Sequence, residues 1–230
     1  MKAYIYSQQH LIGETDLTLT DDVLGCVGGI FTPTEYYFSL IRQHVWAINN
    51  HSLTGWHHLQ LSVQLENGYF LHPMGGYTIN DISALPDEPI TVDVMGLQAE
   101  VIEKYFGDPP AAAFTTSPWD ILTIERKLML EEQLKKEAPA RERKFLWSTK
   151  GKHILAGISC VALCADSGSD DVLFSVTGMP PYDFAMVHLT WGGPDSDPTY
   201  PSTSLFETYE AFQQQVLEPL KEFRANEDDD

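Results

Sequence analysis

Residues 183–224 read DFAMVHLTWGGPDSDPTYPSTSLFETYEAFQQQVLEPLKEFR, and three patterns follow one another along them. Phe184 to Trp191 is an apolar run of strand length. Gly192 to Thr203 carries Pro194, Pro198 and Pro201 and reads as a rigid loop. From Leu205 onward, Leu205, Tyr209, Phe212, Val216 and Leu220 recur at spacings of four, three, four and four. That spacing lines one face of a helix over 205–224, with Pro219 placed to kink or end it. A buried strand closed by an amphipathic helix points to an α+β fold.

Strand and helix signals continue upstream. Ile154 to Ala165 is apolar on both faces, as a central strand covered on two sides is. Asp166 to Asp171 reads as a polar turn, Val172 to Thr177 as the returning strand and Gly178 to Tyr182 as a loop. Ser117-Pro118-Trp119-Asp120 puts proline just behind a capping residue, which predicts a charged helix running to about Glu137. Its apolar residues are only loosely amphipathic; Pro139 ends it, and Ala140 to Lys144 is a basic connector.

In the N-terminal half, Lys2 to Ser7 and Leu17 to Thr20 read as short strands with a polar turn between them. Asp21-Asp22 with Gly25, Gly28 and Gly29 reads as a loop. Thr32-Pro33-Thr34-Glu35 has the form of a capping box. The helix behind it would line Tyr37, Leu40, Ile41, His44, Val45 and Ile48 on one face. His57 to Leu65 alternates strictly, as a half-exposed strand does; Glu66-Asn67-Gly68 turns it and Tyr69 to Leu71 returns. Another strand carries Ile90, Val92 and Val94, and Gln98 to Phe106 reads as a short helix or a further strand, with helix the preferred reading. The sum is a mixed or antiparallel sheet with two to four helices packed on it. The chain reads as a single domain over 1–224, or alternatively as two lobes divided near 108–118, with 225–230 a disordered acidic tail.

Charge is distributed unevenly. The net charge is −19: residues 1–116 hold 13 acids against 3 Lys/Arg, and residues 153–230 hold 14 against 2. Residues 117–152 reverse the sign, with 6 acids against 9 Lys/Arg. A field of this kind repels nucleic acid and attracts basic partners. Arg141 to Lys152 interleaves basic residues with Phe145 and Trp147, but it is short and its surroundings are negative, so no nucleic acid is expected. No apolar run approaches the ~18 residues of a transmembrane helix, and the N-terminus lacks the apolar core of a signal peptide. These features place the chain in the cytoplasm and off the membrane. Cys26, Cys160 and Cys164, without a CxxC pair, read as buried free thiols.

The residues that carry chemistry elsewhere do not assemble into a catalytic pattern. His57 and His58, near His51 and His72, would point to opposite faces of a strand and lack an accompanying carboxylate spacing, so no metal site follows. Cys160 or Cys164 with His153 or His188 would make a nucleophile and base, but apolar surroundings raise a thiol's pKa. His188, alternating with Met186 and Thr190, reads as a hydrogen-bonded histidine in or near the core. Asp166, Asp170 and Asp171 flank Ser167-Gly168-Ser169 in what looks like a solvated hairpin turn. No cofactor is implied, and no P-loop, GxGxxG or GxSxG occurs.

From Val187 to Thr203 the order is HLTW, a small polar turn, then DP-aromatic-P-S-T, followed by Leu205-Phe206 and the helix. This resembles the C-terminal part of bacterial immunity proteins encoded beside polymorphic toxins, over about 40 of the 230 residues. The resemblance implies a cytoplasmic protein that caps a cognate toxin domain without catalysis. On the charge reading that toxin is basic. Candidate contacts are the loop aromatics Trp56, Tyr77, Tyr182 and Tyr200 with the loop acids Asp166, Asp170, Asp171, Asp195 and Asp197. The alternatives are a structural or regulatory interaction module, as a homo-oligomer, and an enzyme of unrecognised type.

Overall fold

The computed structural model describes residues 1–51, 55–107, 114–140, 152–193, 197 and 199–220. They form an α+β protein with two antiparallel sheets. The chain divides into two compact units: Met1–Thr116 with Thr123–Leu128, and Ser117–Leu122 with Met129–Asp230.

The first unit contains β1 (Lys2–Ser7), β2 (His10–Asp16), β3 (Thr18–Asp21), β4 (Cys26–Pro33), α1 (Arg42–His51), β5 (Leu61–Leu65), β6 (Gly76–Asn80), β7 (Thr91–Met95) and α2 (Ala99–Phe106). Its strands lie in the order β5-β1-β2-β4-β7-β6, and β3 also pairs with β4. Ala3, Ile5, Val27, Phe31, Val63, Leu65, Val92 and Val94 turn one face of this sheet into the core. The expected polar turn between the first two strands is itself a strand, β2. Its register slips at Ile12, and the carbonyl of Ile12 accepts the Thr34 N–H instead at 2.8 Å.

Two other expectations fail because pairing overrides a local signal. Gly28 and Gly29 lie inside β4, not in a loop. A Cβ on Gly29 would sit 2.3 Å from the Asp16 carbonyl oxygen, so glycine is there for close strand approach. The capping box at Thr32 does not form either. Thr32 and Pro33 pair with Glu14 and Gly13, and proline at a strand end forfeits no ladder bond. Helical backbone starts at Glu35 and passes through a π-helical turn, Tyr37–Ile41, into α1. Tyr37 and Val45 are buried, whereas Leu40 and His44 turn to solvent.

The strand expected over His57 to Leu65 is shortened for a similar reason. β1 ends at Ser7, and Trp56–Leu59 forms a 3₁₀ turn where that partner runs out. The Ser7 hydroxyl holds the turn by donating to the Leu59 carbonyl at 2.7 Å. Tyr69 to Leu71 returns against β5 as expected, and the strand and helix expected at Ile90 to Val94 and Gln98 to Phe106 are β7 and α2.

Asp81, just beyond β6, ties the helical layer down. Its carboxylate is 3% exposed and accepts from the Tyr37 hydroxyl, Arg42 Nε and Trp46 Nε1, each at 2.8 Å. Burial pushes its pKa up, but bonds from Arg42, Trp46 and Tyr37 outweigh that and hold it below the usual value. Asn49 donates to the carbonyls of Ile79 and Asp81, covering backbone acceptors at and just beyond the β6 edge.

The second unit contains β8 (Trp119–Ile121), most of α3 (Ile124–Glu137), β9 (Ser159–Asp166), β10 (Asp171–Thr177), β11 (Phe184–His188), β12 (Ser202–Phe206) and α4 (Tyr209–Phe212). Its sheet runs β12-β11-β10-β9-β8. The helix expected from Ser117 begins only at Ile124, where the Thr123 hydroxyl accepts the Arg126 N–H. Trp119 is 2% exposed, pairs opposite Asp166 and meets Phe212 edge-on at 5.0 Å, which favours strand.

The decisive C-terminal stretch is also corrected. Phe184–His188 is not the last strand, because Ser202–Phe206 pairs beside it and takes Leu205 out of the helix. Thr208, with extended backbone, caps α4 by accepting the Ala211 N–H at 3.1 Å. A π-helical turn over Gln213–Leu217 follows. It adds a residue to the turn before Pro219, so the buried residue after Phe212 is Leu217 and not Val216. Ile154 to Gly157 is a turn, and the strand expected from Ile154 starts at Ser159. The linker 108–113, the basic segment 141–151, Asp195 and residues 221–230, which include the acidic tail, lie outside the described residues.

Candidate interaction surface

Helix α3 organises the site, through residues that a hydrophobic pattern cannot find. Its buried positions include Lys127, Glu131, Gln133 and Glu137 among Ile124, Leu130 and Leu134. In the first unit, Lys127 Nζ lies 3.3 Å from the Ser62 hydroxyl and 5.3 Å from the Phe70 ring centroid. In the second, Glu131 accepts the Ala162 N–H at 3.0 Å, beside the slip in register between β9 and β10.

Glu137, 3% exposed, takes the largest share. Oε2 accepts from the Thr190 N–H and the Thr190 hydroxyl, both at 2.9 Å. Oε1 accepts from the Trp191 N–H at 2.8 Å and from Gln133 Nε2 at 2.7 Å. Gln133 Nε2 also reaches the Gly192 carbonyl at 3.1 Å. A carboxylate buried this way is matched by donors, as burial of a charge requires.

These bonds fix an unusual backbone. Trp191 has φ of 56°, a left-handed conformation that costs a bulky residue of order 1–3 kcal/mol. It does not end a buried strand as expected: the residue is 45% exposed, and Nε1 donates to Asp170 Oδ1 at 2.8 Å. Neighbouring Asp171 accepts from Ser169 Oγ at 2.7 Å and pairs with His188 Nδ1 at 3.1 Å. His188 is thus hydrogen-bonded as expected but exposed, not in the core.

Strand register gathers part of the expected set. Asp171 lies opposite His188, and His188 opposite Ser202, so all three sit at one end of the second sheet. Asp166 ends β9 and Asp171 begins β10 at that end, Asp170 lies in the turn between them, and Asp197 and Tyr200 lie between β11 and β12. Asp166 accepts the Gly168 N–H, Asp197 accepts from Thr199, and Tyr200 is 49% exposed. Tyr182 is half-buried in the loop at the opposite end of the β10–β11 hairpin. Trp56 and Tyr77 are half-buried residues of the first unit and not loop aromatics as expected: Trp56 opens the 3₁₀ turn, and Tyr77, in β6, pairs with Val94, its hydroxyl donating to the Leu71 carbonyl at 2.7 Å.

Among the described residues no group of three or more His, Cys, Asp or Glu side chains could hold a metal ion. His153 commits Nδ1 to the Leu155 N–H and Nε2 to the Pro201 carbonyl. Burial, with help from Glu131, pushes the Cys160 thiol up to about 12, away from nucleophilic use. Cys164 is buried, while Cys26 and Cys160 are half-buried; all three are free thiols. No described helix is long and apolar enough to cross a membrane. No family model, curated protein or solved structure matches the chain.

Proposed function

We propose that this chain is a non-catalytic binding protein that caps a basic protein domain, the toxin-neutralising role implied by the resemblance at Val187 to Thr203. The supporting observation is Trp191, an exposed ring held in a strained conformation by Glu137. A ring fixed in advance loses little freedom on binding, and tryptophan is favoured at the energetic centres of interfaces. Asp170 accepts from its indole and Asp171 follows it in the chain, within a segment of 14 acids and 2 Lys/Arg. Such a field raises encounter rates with a basic partner by ~10–10³-fold at low salt.

The test is co-expression with the basic domain encoded beside this chain's gene, scoring growth and measuring affinity at low and high salt. Protection of growth and a salt-weakened complex are expected. Trp191→Ala should weaken the complex about thirtyfold, in line with a central aromatic contact. Absence of a complex, or one indifferent to both salt and Trp191, refutes the reading. Salt-insensitive self-association would favour the homo-oligomeric module instead.

A further inference from the structure

We propose that the end of the first sheet formed by Val23, Leu24 and Met74 docks into an apolar recess of a basic protein. Val23 is 89% exposed, Leu24 66% and Met74 75%, and all three stand on turns where polar residues are usual. Two loops bring them together. Leu97 donates its N–H to the Gly25 carbonyl at 2.9 Å, and Met74 donates its N–H to the Gly96 carbonyl at 2.9 Å. Gly75 adds a bond to the Met95 carbonyl at 2.8 Å. The approach is close enough that a Cβ on Gly25, which has φ of +62°, would lie 2.3 Å from the Leu97 oxygen. Asp21 Oδ1 accepts the Leu24 N–H at 2.9 Å and fixes the turn that carries Val23 and Leu24.

The tip is therefore apolar, projecting and set before binding, which limits the entropy lost on docking. Its charge selects the occupant. Asp21 and exposed Asp22 flank the aliphatic side chains, in a segment of 13 acids and 3 Lys/Arg. A second copy would bring like charge to the same place. A recess bordered by Lys or Arg complements both the apolar tip and its acidic flank.

The test places a photo-crosslinking phenylalanine at Val23, and separately at Met74, in the full chain within its producing cells. The crosslinked protein is then purified, and its affinity for the unmodified chain is measured. The same basic protein is expected at both positions. Leu24→Ser with Met74→Ser should weaken it roughly a hundredfold, about tenfold per side chain, without lowering the thermal midpoint. Asp22→Lys should weaken it further at low salt only. Adducts solely between copies of this chain, adducts to many unrelated proteins, or an affinity indifferent to the double variant would overturn the proposal. A partner lost with Trp191→Ala but kept by the tip variant also overturns it, and leaves the Trp191 reading standing.

Discussion

Replacing Glu137 by alanine should unlatch the Trp191 loop. The change removes acceptors for the N–H groups of Thr190 and Trp191, the Thr190 hydroxyl and Gln133. Hydrogen bonds to a charged group contribute about 1.5–3 kcal/mol each, but four on one carboxylate are not additive. Against them stands the cost of burying the carboxylate, several kcal/mol, which the variant no longer bears. The balance is a loss of about 3 kcal/mol, or about 2 M in urea midpoint for a slope near 1.5 kcal/mol/M. Glu137→Gln should lose about 2 kcal/mol, because its amide presents N–H to N–H donors. Urea unfolding measures the loss, and hydrogen exchange at the Thr190 and Trp191 amides locates it. A loss under about 1 kcal/mol with both amides still protected would refute the latch.

Three further outcomes follow from the packing and charge. Asp81 has a folded pKa below its unfolded value near 3.8, so its contribution is complete above that value and lost as pH falls through the lower folded one. Asp81→Asn should therefore cost about 2–3 kcal/mol at neutral pH and flatten the stability curve below about pH 4, checked by thermal melts across that range. At pH 8 a thiol titrating at about 12 is about 10⁻⁴ thiolate, so iodoacetamide should label Cys160 far more slowly in the native protein than in urea, read by mass spectrometry. Leu217→Ala should cost about 2–4 kcal/mol and Val216→Ala about 1 kcal/mol or less in chemical denaturation, reversing the order that a regular helix implies.

Several elements were legible because their signals are local. The Asn67-Gly68 turn, the alternation through Val92 and Val94 and the hairpin about Asp166 to Asp171 all occur where the residues indicate. Part of the candidate surface was legible too, since Asp166, Asp170 and Asp171 bracket a hairpin turn and so stay at one end of its strands. Trp191 was legible as the end of an apolar run but not as an exposed ring. Its exposure depends on Glu137, 54 residues away, and no spacing rule connects them.

By itself the sequence determined the α+β class, the acidic surroundings and the order of most strands and helices, because backbone propensity and periodicity act over a few residues. Tertiary structure alone decided which signals prevailed. The proline-marked starts at Thr32 and Ser117 became strand because Gly13 and Glu14, and Asp166, lay alongside to pair with them or with the residues just beyond. The buried face of α3 escaped the pattern because Lys127, Glu131 and Glu137 each find partners distant in sequence. A polar group can be buried only where its partner is already in place, and that is known only when the chain has folded.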